Sequence, residues 1–213
     1  MPVSRLRRLA QGGDVTAPAG EVCELCAAPV APEHRHVLDL HKRTLLCACR
    51  ACSILFDREP AGGDHYRLIP ERRWRLEGFD LPEALWDGLR IPVEMAFFFH
   101  STPMERVVAF YPGPMGATES MLDLTAWSEL VERNPALAEM KPDVEALLVN
   151  HARGARDHLL VPVDVCYALA GLIRAHWRGL TGGQEVWAEI GEFFDDLRTR
   201  SKVVEREAVE VEV

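Results

Sequence analysis

The sequence predicts an α+β protein: a small N-terminal module of zinc-ribbon or treble-clef type, then an antiparallel-sheet domain with helices toward its C-terminal end. Three observations carry this. Five of the six cysteines crowd between Cys23 and Cys52. Two pairs of short apolar segments, Ile91–Phe99 with Arg106–Tyr111 and Val144–Val149 with Leu159–Val163, read as hairpins. Helical periodicity gathers late in the chain, without the regular strand–helix alternation of a doubly wound sheet.

Taken in order, residues 1–20 are rich in Gly, Pro and Ala, and are expected to form a mobile leader. Residues 21–58 hold the cysteine cluster as a four-cysteine zinc-binding module, and Glu59-Pro60-Ala61-Gly62-Gly63 reads as a linker. Residues 61–202 form the α+β domain. In its first hairpin, His100-Ser101-Thr102-Pro103-Met104 supplies the turn. Phe97-Phe98-Phe99 is apolar on both faces, as a central, covered strand requires. Pro112-Gly113-Pro114-Met115-Gly116 interrupts the chain. Trp127, Leu130 and Val131 then keep helical spacing until Pro135.

Arg153-Gly154 suits the turn of the second hairpin, although Val144, Leu147 and Leu148 also fit a helix. Asp164 is placed to cap a helix carrying Val165, Leu169, Leu172, Ile173 and His176, which Gly179 and Thr181-Gly182-Gly183 end. A last helix presents Val186, Ile190, Phe193, Phe194 and Leu197 on one face. Residues 203–213 alternate acidic and apolar residues; a frayed acidic tail is expected over an edge strand.

Composition narrows the function classes. The chain has 213 residues and a formal net charge of −9, with 48% hydrophobic and 27% charged residues. This balance is that of a globular protein. It disfavours a nucleic-acid binder or a peripheral ligand of anionic membranes. The sequence contains no run of about 18 apolar residues, and Arg5, Arg7 and Arg8 are not followed by a secretory apolar stretch. The cytoplasm is the expected location, and there clustered cysteines point to a metal rather than to disulfides.

Cys23-Glu-Leu-Cys26 and Cys49-Arg-Ala-Cys52 are two Cys-x-x-Cys pairs. Each can direct two thiolates at one ion from a tight turn, and together they complete a tetrahedral four-sulfur site suited to zinc. Residues 27–48 lie between them, which is close to the usual separation and long enough for a hairpin. Cys47 is an alternate ligand to Cys49, but Cys47-Ala-Cys49 chelates less readily than a Cys-x-x-Cys turn. A knuckle, a hairpin and a helix from Arg50 bearing the second pair resemble a treble-clef finger.

Iron is the alternative cofactor, as in rubredoxin, although the Cys-Pro-x-Cys-Gly knuckles of that family are not matched here. A second alternative is an HNH-like metal-dependent nuclease using Glu33-His34 and His36. Its expected Asn is replaced in the neighbourhood of Arg43 and Thr44, and no suitably placed His follows Cys52. On the simpler reading, His34 and His36 share one side of a strand.

Other features are assigned structural roles. Residues 111–118 lack the Gly-Lys-Ser/Thr ending of a phosphate loop and read as a turn. His151 and His158 flank the second hairpin turn and are expected at the surface. Cys166 is expected in the core, as are most of the five tryptophans. Neither a nucleophile–base pair nor a carboxylate dyad stands out, so a binding protein is expected rather than an enzyme.

Several segments together carry a family resemblance: Cys23-Glu-Leu-Cys26, Glu33-His34-Arg35-His36-Val37, Leu45-Leu46-Cys47-Ala48-Cys49-Arg50-Ala51-Cys52, residues 107–114 (Val-Val-Ala-Phe-Tyr-Pro-Gly-Pro), and His176-Trp177-Arg178-Gly179. Over most of residues 20–200 the chain resembles an uncharacterised, largely actinobacterial family often encoded near high-affinity NiFe-hydrogenase genes. The resemblance implies an accessory role in hydrogenase assembly, in metal or cluster delivery, or in electron wiring. The implied partners are protein partners, hydrogenase subunits or maturation factors among them.

Overall fold

A computed structural model describes residues 21–57, 62–63, 65–179 and 181–205. The expected leader, residues 1–20, lies outside the described residues, as does most of the linker. The chain divides into two compact units, one built from residues up to Asp39 with Thr44–Leu68, the other from Leu40–Arg43 with the chain from Ile69 onward.

The first unit is a three-stranded antiparallel sheet and a short helix. Strands β1 (Arg35–Asp39) and β2 (Thr44–Ala48) form the expected hairpin, and helix α1 (Arg50–Leu55) follows at once. The turn passes through Arg43 at φ 57. Strand β3 (Tyr66–Leu68) pairs with the other edge of β1, giving the order β2-β1-β3. The module thus takes a strand from beyond residue 58. Three apolar-edged residues after a Gly pair carry too weak a periodicity to announce a strand. Val37 and Asp39 point inward from β1, and the wholly buried Asp39 carboxylate meets His65 Nε2 at 3.0 Å.

The second unit is a seven-stranded sheet with helices on both faces. Its strands are β4 (Trp74–Glu77), β5 (Met95–Ser101), β6 (Arg106–Gly113), β7 (Gly116–Ser120), β8 (Glu145–Asn150), β9 (Asp157–Pro162) and β10 (Lys202–Glu205), in the order β10-β4-β9-β8-β5-β6-β7. Both predicted hairpins are present, β5–β6 and β8–β9, so Val144–Val149 is extended rather than helical. Helices α2 (Glu83–Gly88) and α3 (Leu124–Arg133) contribute Leu85, Trp127 and Leu130 to a core with Ala96, Phe98, Leu147 and Leu160. Helices α4 (Val163–His176) and α5 (Gly183–Arg200) follow β9, and Tyr167 of α4 sets its ring edge-on against Phe97, 5.6 Å between centroids. Phe97 and Phe98 are both fully buried because each face of β5 meets a helix layer.

Three local expectations are corrected. Asp164 does not cap α4: the helix starts at Val163 after Pro162, and Asp164 sits in the first turn, where its charge favours the helix dipole. The buried face of α4 runs through Cys166, Leu169, Ala170 and Ile173, one step away from the expected Val165 and Leu172. The acidic tail begins as strand: residues 202–205 form an edge strand parallel to β4, with Lys202 N–H donating to the Arg73 carbonyl at 2.9 Å. An edge strand is held by backbone groups on one side only, so polar, exposed side chains do not exclude it. The break at residues 112–116 is a turn, as expected, and closes a third hairpin, β6–β7.

Two buried polar groups tie the second unit together. Glu145 is fully buried and accepts from Arg72 Nε (2.9 Å), Arg72 Nη2 and the Lys141 amide. Asn134, 2% exposed, receives the Asp80 amide and donates to the Asp80 and Leu130 carbonyls, satisfying the end of α3. Asp123 caps the other end, accepting from the Thr125 and Ala126 amides. Among the described residues no helix is long and apolar enough to cross a membrane.

Candidate metal centre

The four predicted cysteines meet in the first unit. The first pair lies in a knuckle where Cys23 N–H donates to the Ala28 carbonyl and Ala27 N–H returns to the Cys23 carbonyl, both 2.7 Å. Ala27 adopts φ 61 to close this turn. The second pair straddles the start of α1. Cys49 is the residue before the helix, extended at ψ 164, and Cys52 lies in the first turn. Knuckle, hairpin and helix follow in the order expected of a treble-clef finger.

The Sγ atoms of Cys23, Cys26, Cys49 and Cys52 all lie within 4.8 Å of one another, and those of Cys26 and Cys49 are 3.6 Å apart. A tetrahedral zinc–thiolate site with bonds of about 2.3 Å has sulfur–sulfur edges of about 3.8 Å. The donor set and its spacing therefore fit a four-sulfur metal ion.

Electrostatics point the same way. Burial pushes the Cys23 thiol up, but the amides of Cys49, Leu25 and Cys26 and the Cys26 thiol outweigh it and bring Cys23 down to about 6. The Cys52 amide, with the Cys26 thiol, lowers Cys49. Cys26 is raised: the Ala28 amide lowers it, but the Cys23 and Cys49 thiols prevail. Burial and the three neighbouring sulfurs push Cys52 up to about 12. Two sulfurs accept charge readily and two resist it. Bringing all four to thiolate needs a cation at their centre, and binding it displaces protons.

Cys47 stands apart from this cluster. It occupies β2 directly opposite His36 on β1, and its sulfur gathers with His34 and His36, again with ligand atoms within 4.8 Å of one another. The two histidines were expected on one side of a strand; only His36 lies in β1, while His34 just precedes it, with the ring centroids 4.9 Å apart. The third member depends on hairpin register, which side-chain periodicity does not specify.

The remaining candidates fall outside these clusters. Cys166 is wholly buried, and burial raises its thiol well above the usual range, as befits a core residue. His151 and His158 do not simply face solvent: their Nε2 atoms lie 3.0 Å apart, with His158 against Phe79 and His151 near Trp86. His158 lies in β9 opposite Val149, and His151 follows the end of β8, so the path of the turn brings the rings together, which a turn signal alone does not specify. Residues 111–118 form the β6–β7 hairpin rather than a loop at a helix start.

A family model described as "Family of unknown function" (DUF5947) matches residues 22–201. No curated protein and no solved structure matches the chain.

Proposed function

The chain belongs to the family of unknown function DUF5947, and we propose that Cys23, Cys26, Cys49 and Cys52 hold one structural zinc ion in a protein that acts as an accessory or interaction factor rather than an enzyme. The convergence of four sulfurs within 4.8 Å supports the metal most directly. A unit with so small an apolar interior gains much of its folding free energy from such an ion, on the order of 10 kcal/mol for structural zinc. Exposed apolar side chains of α1, Ile54 and Leu55 at 65% and 60%, support a protein partner. The resemblance to proteins encoded beside hydrogenase genes suggests a hydrogenase subunit or maturation factor as that partner.

The experiment is elemental analysis of the purified full chain and of two variants. About one zinc per chain tightly held, lost with Cys49→Ser and kept with Cys47→Ser, is the expected result. Protein that binds no metal refutes the site. Recovery of no hydrogenase component by affinity capture from native cells refutes the partner.

Iron in the same four sulfurs is the second reading, because that donor set also suits an electron-transfer centre. Ferric iron there colours the protein, and zinc does not.

A further inference from the structure

We propose that His34, His36 and Cys47 form a second metal site, for a borderline divalent ion of the zinc class, on the hairpin beside the four-cysteine cluster. One cross-strand pair and the residue leading into it build the site. His36 and Cys47 are cross-strand partners of β1 and β2. His34 stands just before β1, two residues from His36. The imidazole centroids are 4.9 Å apart, and the three ligand atoms lie within 4.8 Å of one another.

The state of His34 is the independent observation. Its Nδ1 lies 2.8 Å from the Ala31 carbonyl, which can only accept, so Nδ1 donates, and in the neutral ring Nε2 keeps its lone pair. Glu21 Oε2 stands behind the same Nδ1 at 3.7 Å. The side chain is 8% exposed, and its Nε2 is buried with no hydrogen-bond partner among the described residues. A buried acceptor left unsatisfied is unfavourable. Metal-binding histidines almost always donate their other N–H to a carbonyl or carboxylate, which fixes the tautomer and aims the lone pair. His34 has that arrangement, and a cation between it, His36 and Cys47 would satisfy Nε2.

Two imidazoles and one thiolate suit zinc, cobalt or nickel. Three protein donors leave a fourth position for water or a carboxylate, and Glu24, whose Oε2 receives the Cys47 amide at 2.7 Å, is beside it. Open three-ligand sites are those that exchange ligands, unlike closed four-sulfur sites.

The test is zinc titration of the full chain, purified with its four-cysteine site filled, against a chromophoric chelator, with cobalt(II) as the spectroscopic probe. The wild type is expected to take one further equivalent per chain. Cys47→Ser and His36→Gln lose that equivalent while keeping the resident one, and cobalt(II) shows a sulfur-to-metal charge-transfer band that Cys47→Ser abolishes. A wild type that takes no second equivalent, or variants that titrate like it, overturns the proposal. Neither result touches the four-cysteine reading, which stands or falls on the resident equivalent and Cys49→Ser.

Discussion

Acid should destabilise the second unit through one histidine pair. Burial, then the neighbouring His151 and Arg156, lower His158 to about 4 from an ordinary value of 6.5. Burial and Arg156 also lower His151. With Nε2 atoms 3.0 Å apart, the neutral pair shares one proton, one ring donating to the other, and a second proton there is repelled. The unfolded chain therefore binds more protons than the folded one between about pH 6.5 and 4, so stability is fully present above that window and falls as pH drops through it. A shift from 6.5 to about 4 corresponds to about 3 kcal/mol at the acid limit, of which about 2 kcal/mol is lost between pH 7 and 5.

Denaturant unfolding followed by tryptophan fluorescence measures this cleanly. All five tryptophans, Trp74, Trp86, Trp127, Trp177 and Trp187, belong to the second unit, so the signal comes from that unit. His158→Phe keeps a ring against Phe79 but cannot titrate. Its stability should change between pH 7 and 5 by about 2 kcal/mol less than that of the wild type. Equal pH dependence in the two proteins, or a wild type that gains stability toward pH 5, would refute the argument.

Two other changes have calculable consequences. Arg72→Ala strips the fully buried Glu145 of its cation and should destabilise the second unit by about 3–5 kcal/mol in urea unfolding, with Arg72→Ala/Glu145→Gln recovering part of the loss. Gly182 sits at φ +85, where an added Cβ would stand 2.8 Å from Val186 Cγ1 and 3.1 Å from the Trp177 ring. Gly182→Ala should therefore cost about 1–3 kcal/mol and alter Trp177 emission, through both the strained backbone and the displaced ring. Unchanged thermal unfolding would show that the turn before α5 relaxes freely.

Local signals carried much of the architecture. Two Cys-x-x-Cys pairs identified the four converging sulfurs, because each pair needs only a tight turn and the intervening residues need only return the chain. Phe97-Phe98-Phe99, apolar on both faces, announced a strand covered on both sides, and the C-terminal helix read true at Val186, Ile190, Phe194 and Leu197. What the sequence left open was decided by pairings distant along the chain. Strand β3 completes the cysteine module from beyond Gly63, and β4 stands between β9 and β10, with backbone hydrogen bonds supplying partners that side-chain periodicity does not encode. Register and the path of one turn did the rest. A shift of one residue between β1 and β2 would turn Cys47 away from His36, and the turn after β8 brings His151 to His158. The residue types that can bind a metal or share a proton are written in the sequence, but which of them meet depends on hydrogen-bonded strand alignment, and that exists only once the sheets have formed.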